Sequence, residues 1–149
     1  MRVLHFFKTY WPDTFGGVEH VIHAIATGLA GAGVETSVLS LSRSPAAADV
    51  LFDGHWAHKS KLLLEFASTG FSVTVFSRFR ELARDADIIH YHFPWPFMDI
   101  VHLVTRPGKP CVVTYHSDIV RQKTLLRLYR PVMRAFLNSV DRIVATSPD

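Results

Sequence analysis

The chain has one cysteine, Cys111, among 149 residues. An intrachain disulfide is therefore impossible and a thiolate cage for a metal is excluded, which fits a reducing compartment and a thiol that is simply buried. Apolar runs at the start are equally scarce: after Met1-Arg2 only Val3 to Phe7 precede Lys8. That stretch is too short for a secretory core or a membrane span, so nothing here directs export and a cytoplasmic location is the expectation. An excess of one charge is lacking too, with 16 Lys and Arg against 13 Asp and Glu. A net +3 is well below the density of a dedicated nucleic-acid binder, and no nucleic-acid partner is expected. Internal repeats and linkers are also absent.

What is present is the balance of a packed α/β domain, with 48% hydrophobic and 19% charged residues. Val3 to Phe7 reads as a strand buried on both faces. The loop at 8–17, KTYWPDTFGG, leads into Val18, Val21, Ile22, Ile25 and Leu29 at helical spacing, ending at Gly31 to Gly33. Glu35–Leu41 is a second strand. From 42 to 84 the signals weaken to a Ser/Pro/Ala loop, short strands near His55–Lys59 and Leu63–Phe66, and a helix over about Phe71–Arg84. Strands at Asp87–His92 and Pro110–His116 flank a helix near Trp95–Val104. A long helix over about Arg121–Ser139 follows, with Pro131 either kinking it or starting its second half. Asp141–Ala145 is a last strand, and Thr146-Ser147-Pro148-Asp149 looks like the opening of a further helix, as if the chain were cut there. Such alternation predicts a doubly wound, mostly parallel sheet with helices on both faces.

Ligands of such sheets bind beyond the carboxyl ends of the strands. There the sequence places Gly16-Gly17, then His90, His92 and Phe93, then His116, Ser117 and Asp118, and finally Thr146 and Ser147. A glycine pair before a helix leaves free N–H groups at the positive end of a dipole, hence an anion site, although a plain turn has the same signature. His90 and His92 share one face of their strand because side chains repeat every two residues, which suits bonds to a polyol or to a metal. His116 beside Asp118 can be held in one tautomer and polarised. Tyr10, Trp11, Phe93, Trp95 and Phe97 are either core or stacking surfaces for a sugar or acyl chain. Glu19 and His23, four apart, read as a pair on the helix surface. Lys123, Arg127, Arg130 and Arg134 form one stripe of a helix, either a solvated face or a surface for anionic lipid or phosphate.

Three stretches then carry a resemblance. RVLHFFKTYWPDTFGGVEHVIHAIATGLAGAGVETSVL, DIIHYHFPWP, and KPCVVTYHSDIV followed by a helix and DRIVATSP are, in this order and spacing, similar to the amino-terminal domain of family 4 retaining glycosyltransferases of the GT-B type. The resemblance covers essentially the whole chain. It implies that residues 1–149 are the acceptor-side, Rossmann-like half of an enzyme whose donor-binding carboxyl-terminal half is absent, leaving the fragment inactive by itself. It implies transfer of a sugar from a nucleotide-diphosphate donor to a glycan or lipid-linked acceptor, with retention and without a metal or other cofactor. Gly16 and Gly17 would meet the donor diphosphate, His116 the transferred sugar, with Asp118 supporting its loop. His90, His92, Phe93 and Tyr10 would line the acceptor side. The stripe from Lys123 to Arg134 would dock the enzyme peripherally on an anionic membrane, at the inner face of the cell membrane. Two rivals remain open: a metal-dependent hydrolase or deacetylase built on His90, His92, His116 and Asp118, and a non-catalytic nucleotide- or glycan-binding module.

Overall fold

The computed structural model of the protein describes residues 1–44, 49–117 and 123–146, with side chains from 126 onward in the last stretch. The expected strand–helix alternation is observed. In chain order the elements are β1 (Arg2–Phe6), α1 (Gly17–Gly31), β2 (Glu35–Ser42), β3 (Asp49–Phe52), β4 (His55–Lys61), β5 (Leu64–Phe66), β6 (Thr69–Phe71), α2 (Thr74–Asp85), β7 (Ile88–Phe93), α3 (Pro96–Thr105), β8 (Cys111–Tyr115), α4 (Lys123–Ser139) and β9 (Arg142–Ala145).

A seven-stranded sheet runs β3-β4-β2-β1-β7-β8-β9, and every pairing is parallel except the edge pair β3 and β4. The pleat sends alternate residues to opposite faces. Leu4, Phe6, Ile89, Tyr91, Phe93, Cys111 and Val113 join the main core with Val75, Phe79 and Ala83 of α2, Met98 and Val101 of α3 and Phe136 of α4. On the other face α1 inserts Ile22 among Phe7, Tyr10, Val38 and Ala57. Helices thus cover both faces, as the doubly wound reading requires. Each fully buried large side chain contributes about 1.5–3 kcal/mol, so the main core supplies most of the driving force. The Cys111 thiol is part of that core, donating to the Lys109 carbonyl at 3.1 Å.

The weak stretch from 42 to 84 holds two elements that the sequence reading lacks. β3 returns on β4 through Asp53-Gly54, whose φ of 43° and 80° are the left-handed pair a two-residue hairpin turn demands. β6 pairs with β5 through Ala67 (φ 51°) and Ser68 (φ 60°), a turn with no glycine to announce it. This hairpin claims Phe71, the first residue of the expected helix. α2 accordingly starts at Thr74, where Ser72 Oγ accepts from the Val75 amide at 3.3 Å. Pro131 neither breaks nor divides α4, which runs through it as one helix.

Candidate functional site

The loop between β1 and α1 crosses the carboxyl edge of the sheet and is tied down from beneath. Lys59, on β4, has a buried side chain whose ammonium donates to the carbonyls of Tyr10 and Trp11 at 2.9 Å each and to Ser40 Oγ at 3.0 Å. Its Nζ lies 3.7 Å from Asp13 Oδ2. Burial lowers the Lys59 pKa, and Asp13 opposes that shift. Tyr10 is fully buried, with its hydroxyl bonded to His55 Nε2 at 2.7 Å. It is a pillar of the loop and presents no face to solvent.

Gly16 caps α1 with extended backbone (φ −102°) and no side-chain cap, which leaves the first-turn N–H groups without a side-chain partner at the cap. A Cβ on Gly16 would run into Glu19 Oε2, so the buried carboxylate would have to shift to admit one. Around Gly17 there is open room. Glu19 is not on the helix surface. It is buried, accepting from Thr14 Oγ1 at 2.9 Å, while His23 pairs with Asp53 at 2.8 Å instead. The expected Glu19–His23 pair is therefore replaced by two tertiary contacts that sequence spacing could not reveal. Beside the loop, a groove of about 560 Å³ is lined by Lys8, Asp13, Thr14, Arg43 and Glu65, among others. A second hollow, of about 310 Å³, lies at the opposite edge among Arg80, Arg84, Arg106 and Lys109, far from these loops.

Histidines dominate the middle of the same edge. His90 and His92 do share a face of β7, and the parallel register sets His5 of β1 opposite His90. His5 Nδ1 and His92 Nε2 are 3.0 Å apart, and His92 Nδ1 and His116 Nε2 are also 3.0 Å apart. His90 packs on His92 with centroids 4.5 Å apart and bonds Thr114 Oγ1 at 2.7 Å. His5 and His92 are fully buried, His90 and His116 partly. Burial is the main cause that lowers all four pKa values, His90 to about 4, with neighbouring histidines adding to the shift for His5, His90 and His92. At neutral pH these rings are uncharged. His5 escaped the sequence reading because it sits inside an apolar strand; only strand pairing brings it to the cluster.

The rings of His5, His90 and His92 each bring a nitrogen within 4.8 Å of the others, a spacing open to a metal ion. Yet both His92 nitrogens already bond His5 and His116, and His90 Nε2 bonds Thr114, so a metal would have to break these bonds. His116 hangs just past β8, its amide donating to the Phe93 carbonyl at 3.0 Å. Thr146, past β9, bonds the carbonyls of Tyr115 and His116 at 3.2 and 3.4 Å. Phe93 is fully buried and stacks on Tyr115 at 4.7 Å, while Trp95 and Phe97 are also core. Tyr10, His92 and Phe93, expected on an acceptor surface, thus shape the edge from below without facing it. Asp118 and Ser147 lie outside the described residues, as does the Lys123 side chain. Arg127, Arg130 and Arg134 are exposed along α4.

The family model described as Glycosyltransferase Family 4 matches residues 15–149, from the Gly16-Gly17 loop through His116 to the last strand. The chain belongs to glycosyltransferase family 4. Its fold is the Rossmann-like, doubly wound architecture of GT-B enzymes. Among relatives of this family 4 chain, D-rhamnosyltransferase WbpZ of Pseudomonas aeruginosa is 57% identical over all 149 residues, which are 39% of that protein. O-antigen chain mannosyltransferase C of Escherichia coli is 50% identical over the same length, 40% of its own. The chain thus spans about two fifths of the length of these curated relatives. In shape it matches a sucrose-phosphate synthase of Thermosynechococcus elongatus, with TM-score 0.64 and 15% identity over 99% of this chain and 77% of that one. An alpha-glucosyltransferase in complex with UDP and a 13-mer DNA matches at TM-score 0.56 and 12% identity, over 99% of this chain and 42% of its own. At such identities the likeness is one of fold.

Proposed function

We propose that the chain is the amino-terminal, acceptor-side domain of a glycosyltransferase that moves a sugar from a nucleotide-diphosphate donor to a glycan or lipid-linked acceptor with retention. The observation that carries this reading is the convergence, on one sheet edge, of an uncapped helix N-terminus at Gly16-Gly17 and the His116 ring. The first offers N–H groups and a dipole to a diphosphate. The second offers a neutral ring nitrogen to the sugar. The relatives act, by their names, as a D-rhamnosyltransferase and a mannosyltransferase. Those two sugars share the manno configuration, D-rhamnose being 6-deoxymannose, and a donor of that configuration is the one we assign.

In this reading the reacting carbon passes through an oxocarbenium-like state and the departing diphosphate steers the acceptor hydroxyl. The protein then contributes mainly preorganised electrostatics. Gly17 and its neighbours stabilise the leaving group's charge, and His116 orients the sugar. Asp118 is proposed to support the His116 loop. The groove between Lys8 and Arg43 is where an acceptor would enter, and the arginines of α4 would face an anionic membrane. No metal is invoked for any of these steps.

The test is transfer by the protein carrying both halves, using nucleotide-activated D-mannose, D-rhamnose and D-glucose, with the product anomer read by NMR. Turnover with a manno-configured donor, retention, and at least a hundredfold loss of kcat in His116→Ala, the scale of a lost transition-state contact, support the reading. A silent His116→Ala, or an inverted product, overturns the site assignment.

A further inference from the structure

His5, His92 and His116 form a ribbon from the core to the sheet edge. Each adjacent pair has centroids 5.3 Å apart and planes tilted by only 26° and 24°, as expected of imidazoles joined nearly edge to edge through 3.0 Å N···N bonds. Such a ribbon has only two internally consistent proton arrangements, because each neutral ring carries one N–H and accepts at its other nitrogen. In one, every proton points outward toward His116; in the other, every proton points inward toward His5.

The inner end decides between them. His5 Nε2 is buried and has no partner among the described residues. The inward arrangement would strand an N–H there, and orphaned buried donors are rarer in proteins than under-used acceptors. The outward arrangement leaves only a lone pair. We propose that His5 and His92 are positioning residues that fix the tautomer of His116, so that the ring nitrogen left free by the ribbon, Nδ1, carries the proton and donates to an oxygen of the ligand at the sheet edge.

The sequence of consequences is short. His5 holds its proton on Nδ1 and donates to His92 Nε2. His92 must then hold its proton on Nδ1 and donate to His116 Nε2. His116 is left with its proton on Nδ1, a donor with no competing role as acceptor. A hydroxyl or ring oxygen of a sugar fits it, whereas an N–H group of a ligand does not. The low pKa of all three rings supports a chain of neutral imidazoles. His90 lies outside the ribbon, since its Nε2 is spent on Thr114. The inference that His116 meets a sugar rests on the proposed function; the tautomer does not.

The experiment separates the two. Long-range ¹H–¹⁵N correlation spectra of the protein labelled with ¹⁵N-histidine, at pH 7.5 and without ligand, should show His5, His92 and His116 as Nδ1–H tautomers. A His116 signal of the Nε2–H form overturns the proposal. His5→Leu removes the inner donor and should shift His116 toward a mixture containing the Nε2–H form, with kcat falling about tenfold, the scale of one neutral hydrogen bond. His5→Asn, whose amide can donate from nearly the place of Nδ1, should restore both the His116 tautomer and most of kcat. An unchanged His116 tautomer in a folded His5→Leu protein also overturns it. Should His116→Ala leave transfer intact while all three rings of the unsubstituted protein are Nδ1–H, the assigned function of the site fails and the ribbon stands.

Discussion

The Glu19 carboxylate occupies the space that a side chain on Gly16 would need. One residue forms the helix cap, the other closes the cap from inside, and Thr14 holds the carboxylate in place at 2.9 Å. The amino-terminal end of α1 is thus defined by packing around a glycine whose own φ any residue could adopt.

Gly16→Ala should push Glu19 or the loop aside, lowering stability by about 1–2 kcal/mol and raising KM for the nucleotide sugar about tenfold. Gly17→Ala, facing open space, should leave stability within about 0.5 kcal/mol. Urea unfolding and donor titration read both. Equal effects of the two substitutions would refute the packing account.

Lys59 binds two loop carbonyls from a position with no solvent to replace it. Lys59→Met leaves both carbonyls without their donor, at a cost on the order of 3 kcal/mol. Hydrogen exchange of the 8–17 loop should quicken while the amides of β7 and β8 keep their protection. Unchanged exchange in that loop would show the ammonium to be incidental.

Stability should peak near pH 6.5 because three buried histidines and one buried carboxyl group act with opposite sign. His90 has its pKa depressed to about 4, mainly by burial. Below pH 6.5 the unfolded chain binds protons that the folded one refuses, so stability present above 6.5 is lost as pH falls toward 4, by about 3 kcal/mol for this ring. His5 and His92, shifted the same way, steepen the fall. Asp99 is fully buried without a hydrogen-bond partner among the described residues, and burial raises its pKa from 3.8 to about 9. Between those values the folded protein holds a proton that the unfolded chain has released, so its contribution declines as pH rises. Asp99→Asn should therefore flatten the limb between pH 6.5 and 8.5, where the protein otherwise loses on the order of 2 kcal/mol. Urea midpoints across that range check it, and an identical slope in Asp99→Asn would count against the assignment.

Much of this architecture was legible in the order of residues. The apolar run at Val3–Phe7, the helical spacing from Val18 to Leu29, and the strands around Ile89 and Val113 all stand where periodicity puts them. Local patterning is a property of neighbours in the chain, so it survives without knowledge of the fold. The Asp53-Gly54 hairpin is equally legible, since an Asp-Gly pair favours a left-handed two-residue turn. The turn at Ala67-Ser68 is not, because neither residue advertises a left-handed backbone.

The residues of the site divide the same way. Gly16, Gly17, His90, His92 and His116 declare themselves by type and by their place near strand ends, since chemistry of that kind clusters at one edge of a parallel sheet. Which of them faces a ligand is a tertiary question. Burial withdraws Tyr10, His92 and Phe93 from the surface, and it turns Glu19 inward beneath Gly16. His5 enters only through the register that sets it opposite His90 on the neighbouring strand. The sequence alone determined the alternation of elements and the types of residue collected at one edge. Tertiary structure alone decided which imidazoles touch, because strand register and burial join residues 87 and 24 positions apart in a single hydrogen-bonded ribbon.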